Sequence, residues 1–85
     1  MNKSIAFNEL SIYFQSEADE FERTCSDDNT EEVDEHYARV TDELDRYRHI
    51  IGDDDYFAIS AILDNTDDPW TVALKNASDY CAELV

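Results

Sequence analysis

Three features of the sequence predict an all-α domain of four helices. Apolar residues recur at three- and four-residue steps through most of the chain. The stripes break where capping and turn residues cluster, at Ser26-Asp27-Asp28-Asn29, Gly52 and Asn65 to Asp68. The one strand-like run, Tyr56 to Leu63, has helix-capping residues on both flanks and no partner strand. At 85 residues the chain is expected to form a single domain, residues 1–85. The architecture this predicts is a long antiparallel helical hairpin, a short buried helix and a closing C-terminal helix.

The first helix is predicted over residues 4–25, with Ser4 as its N-cap. Phe7, Leu10, Phe14, Ala18, Phe21 and Cys25 fall on one face. Ile5 and Ile12 form a second apolar line nearly opposite, with Tyr13 at the polar boundary. A helix apolar on two sides lies between neighbours, either its own later helices or a second copy of the chain. Ile5, Ile12 and Tyr13 are therefore the candidate homodimer contact.

The second helix is predicted over residues 30–51. Asn29 or Thr30 can cap it, Glu32 completes a capping box, and Gly52 is its stop. Val33, Tyr37, Val40, Leu44, Tyr47 and Ile51 form the most regular stripe in the chain. Two such helices on a short link read as a hairpin with a 3-4 packed seam. Arg39 stands one turn from Glu35 and Glu43, and Arg46 one turn from Asp42, which predicts ion pairs along this helix. Asp53-Asp54-Asp55 is expected to cap a third helix over residues 56–64, apolar nearly all round and so suited to the middle of a core. The fourth helix is predicted over residues 69–84, with Asp68 as N-cap and Pro69 at the first helical position. Trp70, Ala73, Leu74, Ala77, Cys81 and Leu84 form its stripe.

Charge is the dominant functional signal. The net charge is −16, and 42% of the residues are nonetheless hydrophobic, too many for a disordered acidic tail. The acids concentrate between Glu17 and Glu35, where Arg23 is the only basic residue. Such a surface repels DNA, RNA and anionic membrane, and it favours basic protein partners or cations. No apolar run is long enough to span a bilayer, and MNKSIAFNEL has no signal-peptide core, so the chain is expected in the cytoplasm. There Cys25 and Cys81 are expected as reduced core residues; a bridge between them is the alternative.

Specific chemistries were tested against spacing. Neither Asp53 nor Asp64 opens an EF-hand loop, because Phe57 falls on a ligand position in one frame and Pro69 and Lys75 replace the Gly and Glu in the other. Glu32 and His36 are one turn apart, but no nearby His or Cys completes a metal site, so His36 reads as a boundary histidine beside Tyr37. There is no GxSxG, and one glycine cannot form a phosphate loop. No enzyme activity, metal or cofactor is expected.

Acids one turn apart on a helix stand roughly 6 Å apart, a spacing of the same scale as phosphates along a DNA strand. The expectation is a non-enzymatic inhibitor whose carboxylates imitate nucleic acid and block the basic nucleic-acid-binding surface of another protein. Its working residues would be Glu17, Asp19, Glu20, Asp27, Asp28, Glu31, Glu35 and Asp42. In size and charge the chain is similar to small acidic decoys of phages and mobile elements, such as anti-restriction and anti-CRISPR proteins. That resemblance implies a nuclease, restriction or CRISPR effector as partner. Tyr56-Phe57 and Asp67-Asp68-Pro69 resemble the short third helix and the Asp-rich turn of the immunity proteins of DNase colicins, though only one of that family's paired tyrosines is kept. This second resemblance implies an immunity protein or antitoxin that holds a cognate nuclease toxin, with an aromatic hot spot at Tyr56 or Tyr37. Two blander alternatives are a scaffold module with a solvated acidic surface and halophilic adaptation.

Overall fold

The computed structural model describes residues 2–24, 30–65 and 67–85, with the side chain of Thr30 outside the description. Four helices account for nearly all of them: α1 (Lys3–Thr24), α2 (Thr30–Ile51), α3 (Asp53–Leu63) and α4 (Trp70–Glu83). Among the described residues there is no strand.

Inter-helix contacts give the topology. Glu9 meets Tyr47 and Phe21 meets His36, so α1 and α2 form the antiparallel hairpin that the sequence predicts. Asp45 meets Tyr56 and Tyr37 meets Asp64, so α3 runs back along α2. α4 then returns beside α1, with Lys75 on Glu22 and Ser78 on Ser11. The order is up-down-up-down.

α1 and α4 are the most closely packed pair. The reason is visible in side-chain size. α4 buries Ala73, Ala77 and Ser78, which hold no bulk between the backbones. The Ser78 hydroxyl donates to the main-chain oxygen of Ser11 at 2.8 Å. Around this contact lie Phe7, Leu10, Phe14 and Phe21 of α1, Val40, Leu44 and Ile51 of α2, Ile59 and Leu63 of α3, and Trp70 and Leu74 of α4. The α1 stripe is thus buried as far as it is described, and Cys25 lies outside the described residues. Cys81 is free and buried.

Several local expectations are corrected. Asn2, not Ser4, caps α1: its Oδ1 accepts the Ile5 N–H at 2.9 Å, the three-residue reach of an N-cap. The expected caps of α2 at Asn29 and Thr30 lie outside the description. Asp53, Asp54 and Asp55 stand inside the first turn of α3, where the positive end of the helix dipole favours them. Pro69 is the N-cap of α4, since its ψ of 151° is extended, and Trp70 is the first helical residue. Arg39 reaches across to Glu17 at 2.9 Å instead of along its own helix, and Arg46 pairs with Glu43 at 3.5 Å instead of Asp42. α3 is not the middle of the core. It buries Ile59 and Leu63 and turns Phe57 and Ala61 outward, because it packs only along its α2 and α4 sides. Ile5 and Ile12 also stay uncovered by the chain's own helices, at 49% and 59% exposure.

A single residue separates α2 from α3. Gly52 has φ 92° and ψ 160°, a region essentially reserved for glycine. Its N–H donates to the Arg48 oxygen at 2.9 Å to close α2, and its own oxygen accepts the Tyr56 N–H at 3.0 Å to open α3. A Cβ at this position would meet nothing within 4 Å, so a substitution strains only the backbone. We expect Gly52→Ala to lower unfolding free energy by about 1–3 kcal/mol in urea denaturation. A loss under about 0.3 kcal/mol would show that the reversal does not need this conformation.

Candidate functional site

The acids divide into two sets according to what they face. One set, Glu9, Asp45, Asp55 and Asp64, accepts hydrogen bonds from tyrosine hydroxyls of a neighbouring element; Asp55 is half-buried and the other three are exposed. Tyr47 of α2 donates to Glu9 of α1 at 2.9 Å, and Tyr80 of α4 donates to Asp55 of α3 at 2.8 Å. Tyr56 of α3 donates to Asp45 of α2, and Tyr37 of α2 donates to Asp64 just beyond α3. Each bond ties two segments together, and none removes a negative charge. The phenols register it. Tyr37 is pushed up to about 12, first by its bond to Asp64 and then by burial. Tyr56 and Tyr80 are raised chiefly by their carboxylate partners, and Tyr47 chiefly by burial and then by Glu9. Burial, followed by the Glu17 charge, brings Tyr13 to about 12.

Among the described residues Glu17 is the most enclosed of the expected partner-binding acids. Its side chain is 13% exposed. Its Oε2 accepts from His36 Nε2 at 2.9 Å and from Arg39 at 2.9 Å. His36 is itself buried, stacked on Phe21 at 5.1 Å. The indole Nε1–H of Trp70 donates to His36 Nδ1 at 2.6 Å. An indole N–H can only donate, so Nδ1 must present a lone pair and the imidazole proton sits on Nε2. The network therefore joins α4, α2 and α1: Trp70 donates to His36, and His36 and Arg39 both donate to Glu17. His36 is a structural junction rather than a boundary residue. Its position between Val33 and Val40 on the buried stripe was the available signal.

The second set bonds to no tyrosine among the described residues. Asp19, Glu20, Glu31, Glu35 and Asp42 are exposed, and no ion pair among the described residues involves them. Asp19 accepts one hydrogen bond, from Gln15 at 3.2 Å. Asp27 and Asp28 lie outside the described residues. Glu20 and Glu35 approach from opposite sides of a cleft between α1 and α2, lined also by Phe21, Thr24, Glu32, His36 and Arg39. Its volume is about 190 Å³, below the roughly 300 Å³ at which pockets begin to enclose organic ligands. Of the candidate dimer residues, Ile5 and Ile12 are exposed and Tyr13 is half-buried against the core. Among the described residues no three potential metal ligands come together, and no helix is long and apolar enough to cross a membrane.

Phe57 was missed by sequence reasoning. It is 56% exposed, edge-on to Tyr56 at 5.4 Å. The Arg48 guanidinium lies 4.6 Å from the Tyr56 ring centre and 5.1 Å from that of Phe57. The same guanidinium bonds Asp53 at 2.9 Å.

No protein-family model, curated protein or solved structure matches this chain.

The tyrosine bonds carry a signed pH dependence. Raised phenol values mean that folding favours the neutral hydroxyl. That contribution is complete below about pH 10, the ordinary tyrosine range, and is lost as pH rises through the folded-state values near 12. We expect helical circular dichroism to fall between about pH 10 and 12, in step with tyrosinate absorbance. Ionisation of all five tyrosines near pH 10 with the helices intact would contradict it.

Proposed function

We propose that this protein is a non-enzymatic inhibitor that presents fixed carboxylates to the basic nucleic-acid-binding surface of another protein. The observation that carries the reading is the division of the acids. Four acids that bond across helix boundaries do so to neutral tyrosine donors, which leave their negative charge in place within a net charge of −16. Asp19, Glu20, Glu31, Glu35 and Asp42 stand exposed on α1 and α2. The body is 36 Å long, close to one turn of duplex DNA at about 34–36 Å. A surface of this kind attracts a Lys- and Arg-rich site over long range and speeds encounter. Nucleic acid itself and anionic membrane are repelled by it.

Magnitudes favour a built surface over an incidental one. Two exposed carboxylates about 6 Å apart repel by roughly 0.7 kcal/mol in water. One hydrogen bond to a carboxylate contributes roughly 1.5 kcal/mol or more when shielded, and less at a rim. A few tyrosine bonds thus offset several like-charge neighbours, and the field survives.

The test captures the partner from the native host on the immobilised protein, then measures its affinity from about 50 to 200 mM salt. Replacing Glu31, Glu35 and Asp42 together by Gln, Gln and Asn is expected to weaken binding roughly tenfold and to flatten the salt dependence. Duplex DNA should compete with the wild-type protein for the same partner. Unchanged affinity and slope, with the fold intact by circular dichroism, would sink the decoy reading.

A further inference from the structure

Among the described residues no helix covers the outward face of α3; only the Arg48 side chain lies against it, at the Phe57 and Asp53 end. Asp54, Phe57, Ala61 and Asp64 follow one another at three- and four-residue steps and are all exposed, so they form one stripe. Its centre is apolar and its two ends are acidic. Asp53 adds a third exposed acid beside Phe57. The core does not require Phe57 here, since Ile59 and Leu63 make the inward contacts of α3. A large exposed aromatic residue matches the make-up of an interface centre, and the flanking acids match its polar rim.

The chain's own cation indicates what fits. Arg48 lies within reach of both the Tyr56 and Phe57 rings and bonds Asp53 from the same position. Ring faces attract guanidinium, and the flanking carboxylates reinforce that attraction. The rest of the face, towards Ala61 and Asp64, lies further along the same stripe.

We propose that this α3 face, centred on Phe57, is a docking surface for a cationic amphipathic segment of a basic protein. Apolar side chains of the segment cover Phe57 and Ala61, and its lysines or arginines meet Asp53, Asp54 and Asp64. The inference rests on the proposed function only in taking the partner as basic. It adds an apolar anchor, separate from the carboxylates of α1 and α2, which gives affinity that salt does not screen.

The test uses the whole ¹⁵N-labelled protein and a synthetic helical peptide of lysines and leucines at amphipathic spacing. A second peptide has every leucine replaced by serine. The leucine peptide should shift the amide signals of Asp54, Phe57, Ala61 and Asp64. The serine peptide should bind at least tenfold more weakly. Phe57→Ser should weaken the leucine peptide roughly tenfold with an unchanged salt slope. Glu31→Gln, Glu35→Gln and Asp42→Asn together should leave the α3 shifts in place. Equal binding of the two peptides, or shifts confined to α1 and α2, would overturn the anchor while leaving the decoy reading to its own salt test. A fall in sedimenting mass caused by Phe57→Ser would also overturn it, because the face would then be a contact between copies of this chain.

Discussion

A phenol hydroxyl can satisfy a carboxylate without cancelling its charge, and the rest of this structure depends on that. A chain with 22 acids and six lysines and arginines cannot knit its helices through ion pairs alone. Beside the cross-helix ion pairs Arg39–Glu17 and Lys75–Glu22 it uses tyrosine. Glu9, Asp45, Asp55 and Asp64 each accept from a tyrosine across a helix boundary. These acids are thereby hydrogen-bonded across helices, while the long-range field is left as strong as before. A lysine in each place would have tied the same helices and erased the charge.

The buried relay at the other level of the fold differs, because the Arg39 cation does offset the Glu17 charge. Trp70 donates to His36, His36 donates to Glu17, and Arg39 completes the set from the rim. One enclosed carboxylate is fully engaged, and three helices are joined where α4 begins. Below this junction the small residues Ala73, Ala77 and Ser78 let α4 approach α1 closely, so the ring of helices closes without help from the charged surface. Packing thus holds the body together, and the polar bonds set where the acids stand.

The sequence made the helices legible because their stripes are long and regular. Phe7, Leu10, Phe14, Ala18 and Phe21 are buried as their spacing implies, and so are Val40, Leu44 and Ile51. Cap positions shifted by one to three residues, since Asn2, Ser4, Asp68 and Pro69 all have capping chemistry and spacing does not choose among them. The inward turn of Glu17 was not legible. It depends on Trp70, which is 53 residues away in the chain and meets Glu17 only through His36. Arg39 was assigned to Glu35 and Glu43 by helical spacing, but Glu17 on the neighbouring helix is within its reach. The placement of α3 was misread for a related reason. An all-round apolar pattern signals burial, but it does not reveal that a short helix with two neighbours leaves one side open. The exposed acids Asp19, Glu20, Glu31, Glu35 and Asp42 do stand where the stripe pattern puts them.

The central claim is that the exposed carboxylates ride on a rigid frame at neutral pH. Backbone ¹⁵N relaxation of the free protein over residues 17–24 and 30–42 tests it most directly. The account predicts order parameters near 0.85 throughout both stretches, the value of a rigid backbone. Values below about 0.6 across them would mean that the acids are borne on a mobile chain, and a fixed anionic surface would then be untenable.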